Sequence, residues 1–340
     1  MAGGPAVESG MAQSDAARPG ATRLKAGRLG LASRLVLGHL SGRASLRARR
    51  PRTLAELRRA LDRPCFPQAL SSLPLRRVMA LRVPGATELR PARLYLPHGK
   101  VRGAVLFLHG GGFVHCGLNS HHGICCRLAR ASGAAVLSFD YRLAPEHRFP
   151  AAVEDSWAAL RWLAGESWRW GGGLAVAGDS AGGNLAAVLA HLARDRGGPE
   201  LALQLLYYPS LYGAREVPSR RIHAEGYMLT ARLMEWYAEQ YVRTPEDLYH
   251  PLMAPVFAES LAGLAPAVIV PAEFDPLHDE ATGYAQAMRA AGGQAELRCY
   301  PGTIHGYLNM YSVMPAGRAA IRFGGRRLRA ALAGYTRGTA

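Results

Sequence analysis

The sequence predicts an α/β fold: a mostly parallel central sheet with helices on both faces. Three observations carry this. From residue 100 onward, apolar runs of strand length alternate with stretches of helical length and periodicity. The runs are nearly continuous in Val, Leu, Ala and Ile, as strands buried on both faces are. The segments rich in Gly, Asp and His fall where a run ends, at the carboxyl rim where such sheets take up ligands.

Residues 1–70 read as a basic N-terminal segment with cap helices. Within it, ATRLKAGRLGLASRLVLGHLSGRASLRARRPR mixes arginines with leucines at partly helical spacing. That pattern suits a cap packed on a larger domain, a membrane-surface helix or a transit-like segment. Residues 71–209 hold the first part of the core. AVLFLH is a strand followed by the helix SHHGICCRLARASG; AVLSFDY with PAAVEDSWAALRWLAG, and LAVAG with SAGGNLAAVLAHLARD, repeat the pair, and LALQLLYYP adds a further strand. Between 210 and 247 the alternation breaks into a loop and one amphipathic helix rich in Met, Trp and Tyr. An insertion between core strands lies over the strand ends, where it can act as a lid. Residues 248–340 complete the core with the strand AVIVPAEFD, the helix ATGYAQAMRAAGG, the strand AELRCYP and a C-terminal helix around AAIRFGGRRLRAALAG.

The chain carries 41 Lys and Arg against 25 Asp and Glu, a net charge of +16. Most of the surplus precedes residue 100, so the charge belongs to the front end. With no zinc pattern and no aromatic ribonucleoprotein-type motif beside it, it does not indicate a nucleic-acid partner; peripheral membrane contact through the basic N-terminus stays open. Arg28 and Arg34 interrupt any secretory h-region. GGGLAVAGDSAGGNLAAVLAHLA has membrane-like length but opens in glycines and carries Asp179, so it reads as strand, turn and helix. Cys65, Cys116, Cys125, Cys126 and Cys299 form no CxxC pair; no disulfide framework is expected, and a cytoplasmic location is. His121 and His122 read as a solvated turn, and no histidine pair has zinc spacing, so no metal is expected.

The chemistry starts at GDSAGG, which centres Ser180 in G-x-S-x-G between an apolar strand and an alanine-rich helix. In such an elbow the serine is held strained, and only small neighbours avoid clashing across the turn. A serine hydroxyl needs an adjacent base, held in turn by an acid, in the chain order Ser, Asp, His. Asp275 follows the strand AVIVPAEFD and His305 follows AELRCYP. Asp279 is the rival acid and reads better as a helix N-cap; His278 and His250 are rival bases with no strand immediately upstream to aim them. HGGGFVHCG supplies the remaining part. An attacked carbonyl oxygen becomes negative, and amides of Gly111, Gly112 and Ala181 can line a hole for it, because glycines let backbone approach closely. The same triplet lacks the spacing of a dinucleotide or P-loop phosphate site.

HGGG, YRLAPEH at Tyr141 to His147, GDSAGG, EFDPLHDE and HGY, in this order at strand ends, resemble the hormone-sensitive-lipase family of α/β-hydrolases, in its bacterial carboxylesterase branch. The match runs from about residue 90 to 312. It implies an α/β-hydrolase fold and a serine esterase with no cofactor. The triad would be Ser180, Asp275 and His305, and the oxyanion hole Gly111, Gly112 and Ala181. A cap would be built from the N-terminus and 210–247. His109 and the Tyr141 to Glu146 segment would brace the loop beneath the site. HGY departs from the more usual HGF, and the first 50 residues are longer and more basic than the family's cap.

The expected activity is therefore hydrolysis of small-molecule short- to medium-chain acyl esters through an acyl-enzyme. A deacetylase or amidase would use the same residues, and a non-catalytic ligand-binding protein could keep the fold. Phe113, Met228 and Tyr307 are candidate pocket residues. Met228, Leu229, Met234, Trp236 and Tyr237 suit an apolar pocket and equally the packing of a lid helix. Cys116 reads as an inert thiol near the entrance. The oligomeric state is not readable, with a homodimer one option.

Overall fold

The protein is described by a computed structural model over residues 28–45, 53–64 and 66–335. Cys65 and most of the basic N-terminal segment lie outside the described residues. The described residues open with α1 (Leu31–Ser45), α2 (Leu54–Leu61) and α3 (Gln68–Ser72). Thr53 caps α2 by accepting from the Glu56 amide. An antiparallel pair, β1 (Arg77–Pro84) and β2 (Leu89–Leu96), precedes the alternation read from residue 100. Each strand has one half-solvated face and a short turn joins them, so neither makes the continuous apolar run that marks the later strands.

The core continues with β3 (Ala104–Leu108), α4 (His122–Ser132), β4 (Ala135–Phe139), α5 (Ala151–Glu166), β5 (Leu174–Asp179), α6 (Ala181–Asp195) and β6 (Leu203–Tyr207). Every residue of β3, β4, β5 and β6 is buried. A Leu or Phe removed from water in this way stabilises the fold by about 1.5–3 kcal/mol. Residues 210–247 hold two helices rather than one, the short α7 (Pro218–Ile222) and α8 (Ala231–Tyr241). The run AVIVPAEFD divides into β7 (Ala267–Val270) and β8 (Ala272–Phe274) at Pro271, which has no N–H to give a ladder. After α9 (His278–Ala290), AELRCYP likewise divides into β9 (Ala295–Leu297) and β10 (Tyr300–Ile304), and α10 (Pro315–Ala333) closes the chain.

Among the described residues the main sheet has eight strands in the order β1-β2-β4-β3-β5-β6-β7-β9, parallel from β4 through β9, with β10 and β8 paired separately. Residues of α5, α6 and α9 form one core layer and residues of α4 and α10 the other, so helices cover both faces. Because β3, β5, β8 and β10 all run the same way, their carboxyl ends converge on one rim. Among the described residues no helix is long and apolar enough to cross a membrane.

Candidate active site

Ser180 sits at the turn from β5 into α6 with φ 54° and ψ −119°. A non-glycine residue at positive φ is strained, and its neighbours explain how it persists. A Cβ on Gly178 would meet the backbone of Gly182, and one on Gly182 would meet the carbonyl of Leu108. The crossing of strand and helix is thus too tight for any side chain at either position. The Ser180 amide donates to Tyr207 O at 2.9 Å, tying the elbow to β6.

The structure brings Ser180, His305 and Asp275 together from three strand ends. His305 Nε2 lies 2.9 Å from Ser180 Oγ, and His305 Nδ1 lies 2.7 Å from Asp275 Oδ2. Asp275 is fully buried, and its other oxygen accepts from the Leu277 amide at 3.0 Å. The carboxylate is therefore fixed from both sides, which fixes the ring it holds. The rivals stand elsewhere. His278 Nδ1 lies 2.7 Å from Ala272 O, and His250 Nδ1 accepts from the Leu252 amide. Asp279 is not an N-cap: Leu277 holds that place, and Asp279, inside the first turn of α9, accepts from the Ser219 amide at 2.9 Å.

Gly111 and Gly112 follow β3 at φ 118° and 60°. A Cβ on Gly111 would meet the His115 carbonyl, and one on Gly112 the Tyr237 ring. Their amides make no backbone hydrogen bond among the described residues, and Ala181 opens α6, where amides have no partner one turn back. Gly110 is held instead: its amide donates to Asp179 Oδ1 at 3.0 Å. Asp179, beside Ser180, is buried, and His121 Nε2 lies 3.0 Å from the same oxygen. Burial raises its pKa, but the His121 imidazole and the Gly110 amide outweigh that and keep the carboxyl below its ordinary value.

His121 and His122 are thus not on a solvated turn; both are buried. His121 ties Asp179 to Asn309, and His122 contacts Ser72 and Tyr95. Two adjacent polar residues look like a turn in sequence; apart from Ser120 Oγ, 2.9 Å from His121 Nδ1, the partners named here are 50 or more residues away or on a strand.

The segment expected to brace the loop does so. Tyr141 Oη donates to His109 O at 2.6 Å, and the two rings stack at 4.4 Å. Burial and the nearby His121 push the His109 pKa down to about 4, so it packs as a neutral ring at neutral pH. The N-terminal segment adds a clamp that sequence reasoning missed. Arg58 of α2 donates to Val114 O at 2.8 Å and Ala144 O at 2.6 Å and pairs with Glu146. Asp62, four residues on, accepts from the amides of Asn119 and Ser120. The one sequence signal was this i, i+4 pair of opposite charges, which looks like any solvated helix pair.

A cavity of about 780 Å³ opens over Ser180 and His305. Phe113, Met228, Leu229, Leu233, Met234 and Tyr237 are among its walls. Trp236 does not line it and packs against the core layer of α5 and α6. Tyr307 does not line it either. Its ring is fully buried and packs 5.4 Å from that of Tyr208, which in turn lies 4.8 Å from the His305 ring. The chain turns at Gly306, φ 73°, so the residue after it points back into the core. Cys116 is half-buried in the cavity wall, and burial pushes its thiol up to about 12. His115, lowered to about 4 by burial, lies 2.6 Å from Tyr237 Oη and joins the loop after β3 to α8. Among the described residues no cluster of three His, Cys, Asp or Glu could hold a metal ion.

The sequence profile of the α/β-hydrolase fold matches residues 105–309. The carboxylic ester hydrolase LipN of Mycobacterium tuberculosis is 44% identical over 246 residues, 69% of this chain and 65% of that protein, slightly under two thirds of its length. Esterase LipI of the same organism is 41% identical over 76% of this chain and 83% of its own. Among solved structures, the hyperthermophilic esterase of the archaeon Pyrobaculum calidifontis superposes with a TM-score of 0.83 at 39% identity, covering 89% of this chain and 98% of that one. Fold, motifs and relatives agree, and the chain belongs to the α/β-hydrolase fold family, in its hormone-sensitive-lipase branch.

Proposed function

We propose that this carboxylic ester hydrolase cleaves short- to medium-chain acyl esters with Ser180 as nucleophile, His305 as base and Asp275 as the acid that holds it. The observation that carries the reading is the line from Ser180 Oγ through His305 to a buried Asp275, at 2.9 and 2.7 Å, on a serine held at positive φ. His305 Nε2 takes the hydroxyl proton as Oγ attacks the ester carbonyl, and Asp275 stabilises the imidazolium. The carbonyl oxygen, now negative, meets the amides of Gly111, Gly112 and Ala181, each worth about 3 kcal/mol in such a role. His305 returns the proton to the departing alkoxide. Water, deprotonated by His305, then attacks the acyl-enzyme, and His305 returns that proton to Ser180 Oγ as the acid is released.

Selectivity belongs to the outer wall. We assign residues 210–247 and the N-terminal segment to a cap, supported by Leu61, Met228, Leu233 and Tyr237 around one cavity. Apolar walls over a polar floor favour an acyl chain of limited length. The test is hydrolysis of p-nitrophenyl esters from acetyl to palmitoyl, beside Ser180→Ala. The reading expects a maximum at short or medium chains and a loss of about 10⁵-fold or more in turnover for the variant, with the fold intact. No turnover on any ester by the folded wild type, with turnover of an anilide or acetylated sugar, would move the assignment to an amidase or deacetylase.

A further inference from the structure

The net charge of the core conceals a segregation. No Asp or Glu lies between Glu88 and Asp140, and none follows Glu296, although seven arginines do. These two acid-free stretches supply α4 and α10, which pack together as one helical layer. The opposite layer carries Glu154, Asp155, Glu166, Asp195, Asp279 and Glu280 among its arginines.

On α10 the exposed residues include Arg322, Arg326 and Arg329, with the half-buried Arg318 one turn earlier. Spacings of four, four and three place all four on a single stripe. Arg327, off the stripe, pairs with Glu296 at 2.7 Å, and Arg318 is satisfied by the carbonyls of Tyr311 and Ser312. Arg322, Arg326 and Arg329 have no carboxylate partner among the described residues. Like charges four apart weaken a helix. The helix dipole favours cations only near its carboxyl end, so it works against Arg318 in the first turn. Neither helix stability nor internal pairing explains the stripe.

The stripe ends in a basin. At the amino ends of β3 and β4, opposite the rim that holds Ser180, a cavity of about 340 Å³ is lined by His98, Lys100, Arg102, Arg130, Ser132 and Arg329, together with prolines and a glycine. Arg329 Nη2 lies 3.4 Å from Arg130 O, which joins α10 to α4 there. α3 also packs on α4; it and the residue after it expose Leu70 at 51% and Leu73 at 72%, and Pro74, next in the chain, lines the basin. Guanidinium groups beside protruding leucines are the chemistry of a surface that meets lipid headgroups at the depth of the acyl boundary.

We infer that the α3–α4–α10 face docks on an anionic lipid bilayer, with the Lys100, Arg102, Arg130 and Arg329 basin taking a headgroup phosphate. The charge complementarity selects an anionic partner, and the exposed leucines select a lipid surface over a soluble polyanion. Docking there leaves the mouth over Ser180 on another rim of the molecule, so binding to lipid and turnover of a soluble ester are separable.

The test is co-sedimentation of the full chain with phosphatidylcholine vesicles, with and without phosphatidylglycerol, at low and raised salt. Binding is expected only with phosphatidylglycerol and is weakened by salt. Removing one arginine near the surface lowers partition by about fivefold, so Arg322→Gln/Arg326→Gln/Arg329→Gln lowers it on the order of 100-fold. Leu73→Ser lowers it further, and both variants keep the wild-type rate on a soluble ester, which shows that they fold. Three results would overturn the inference: no binding to anionic vesicles; undiminished binding by the triple variant, which would place the contact in the N-terminal segment; or release from vesicles by glycerol phosphate or duplex DNA at equal phosphate, which would make the basin a site for soluble phosphates.

Discussion

The floor and the outer wall of the cavity are built on different principles. The floor is made of strand ends, and its side chains are fixed by hydrogen bonds to one another and to nearby backbone. Asp275 is held by His305 and the Leu277 amide, Ser180 by the elbow and Tyr207, and Gly110 by Asp179. The outer wall rests on α8, whose one fully buried residue is Tyr241; Leu233, Met234 and Tyr237 are half-buried. Its links to the floor are few, chiefly His115 to Tyr237 and the stacking of Phe113 on Tyr241 at 3.8 Å. The difference teaches where each property of the enzyme resides. In the proposed mechanism, reaction geometry, which needs placement within a fraction of an ångström, falls to the hydrogen-bonded floor, and substrate range, which tolerates adjustment, falls to side chains that can repack.

The largest break in that contrast comes from the floor. In Gly111→Ala the new methyl falls on the His115 carbonyl at a backbone φ of 118°, so the loop must shift and its amide leaves the position it holds. The expected loss is about 10²–10³-fold in kcat, with KM nearly unchanged. Steady-state kinetics on one short ester measures both. An effect confined to KM would mean that the triplet shapes the pocket rather than stabilising charge.

A smaller and opposite signature is expected on the wall. Met234→Ala enlarges the cavity beside α8 without touching the floor, so kcat on short esters should hold while the preferred chain lengthens. Each added methylene accommodated is worth about 1–3 kcal/mol, a change of roughly 10-fold or more in relative kcat/KM. A uniform fall across all chain lengths would show that the wall also positions the reacting carbonyl.

A third effect concerns the whole fold and acid. Burial lowers His109, His115 and His191 to about 4. Their unfolded counterparts take up protons below about 6.5, while the folded ones do so only near 4. The unfolded state therefore binds more protons across that window, and stability falls as pH drops from about 6.5 to 4, by at most about 1.4 kcal/mol per pH unit for each histidine. Tm measured across this range should decline, and less steeply in His191→Gln, which removes one of the three far from the site. A Tm that is flat over the window would contradict the burial of these rings.

Most of the floor was legible because its residues are set by backbone geometry. A glycine at Gly178 or Gly182 is the mark of a crossing that admits no Cβ, and such marks survive in the letters of a sequence. The parallel strands were legible because double burial makes them continuous in apolar residues. The antiparallel β1 and β2 were not, since one wet face dilutes the pattern. His121 and His122 misled for a related reason. Burial of a polar residue depends on partners brought by the fold, here Asp179, Asn309, Ser72 and Tyr95, and spacing along the chain carries no trace of them. Tyr307 was misplaced because adjacency to His305 in sequence says nothing of direction once Gly306 turns the chain. Arg58 and Asp62 were invisible as a clamp, because their partners are backbone carbonyls and amides that any sequence has.

In the proposed mechanism Ser180 Oγ is the atom that is acylated. The most direct measurement is to treat the enzyme with a fluorophosphonate, which mimics the tetrahedral state and stays bound to an activated serine, and to map the adduct by peptide mass spectrometry. One adduct per chain, on the peptide containing Ser180, formed in parallel with loss of esterase activity and absent in His305→Ala, is the predicted result. Modification of a different residue, or full ester hydrolysis by a chain already phosphonylated at Ser180, would contradict it.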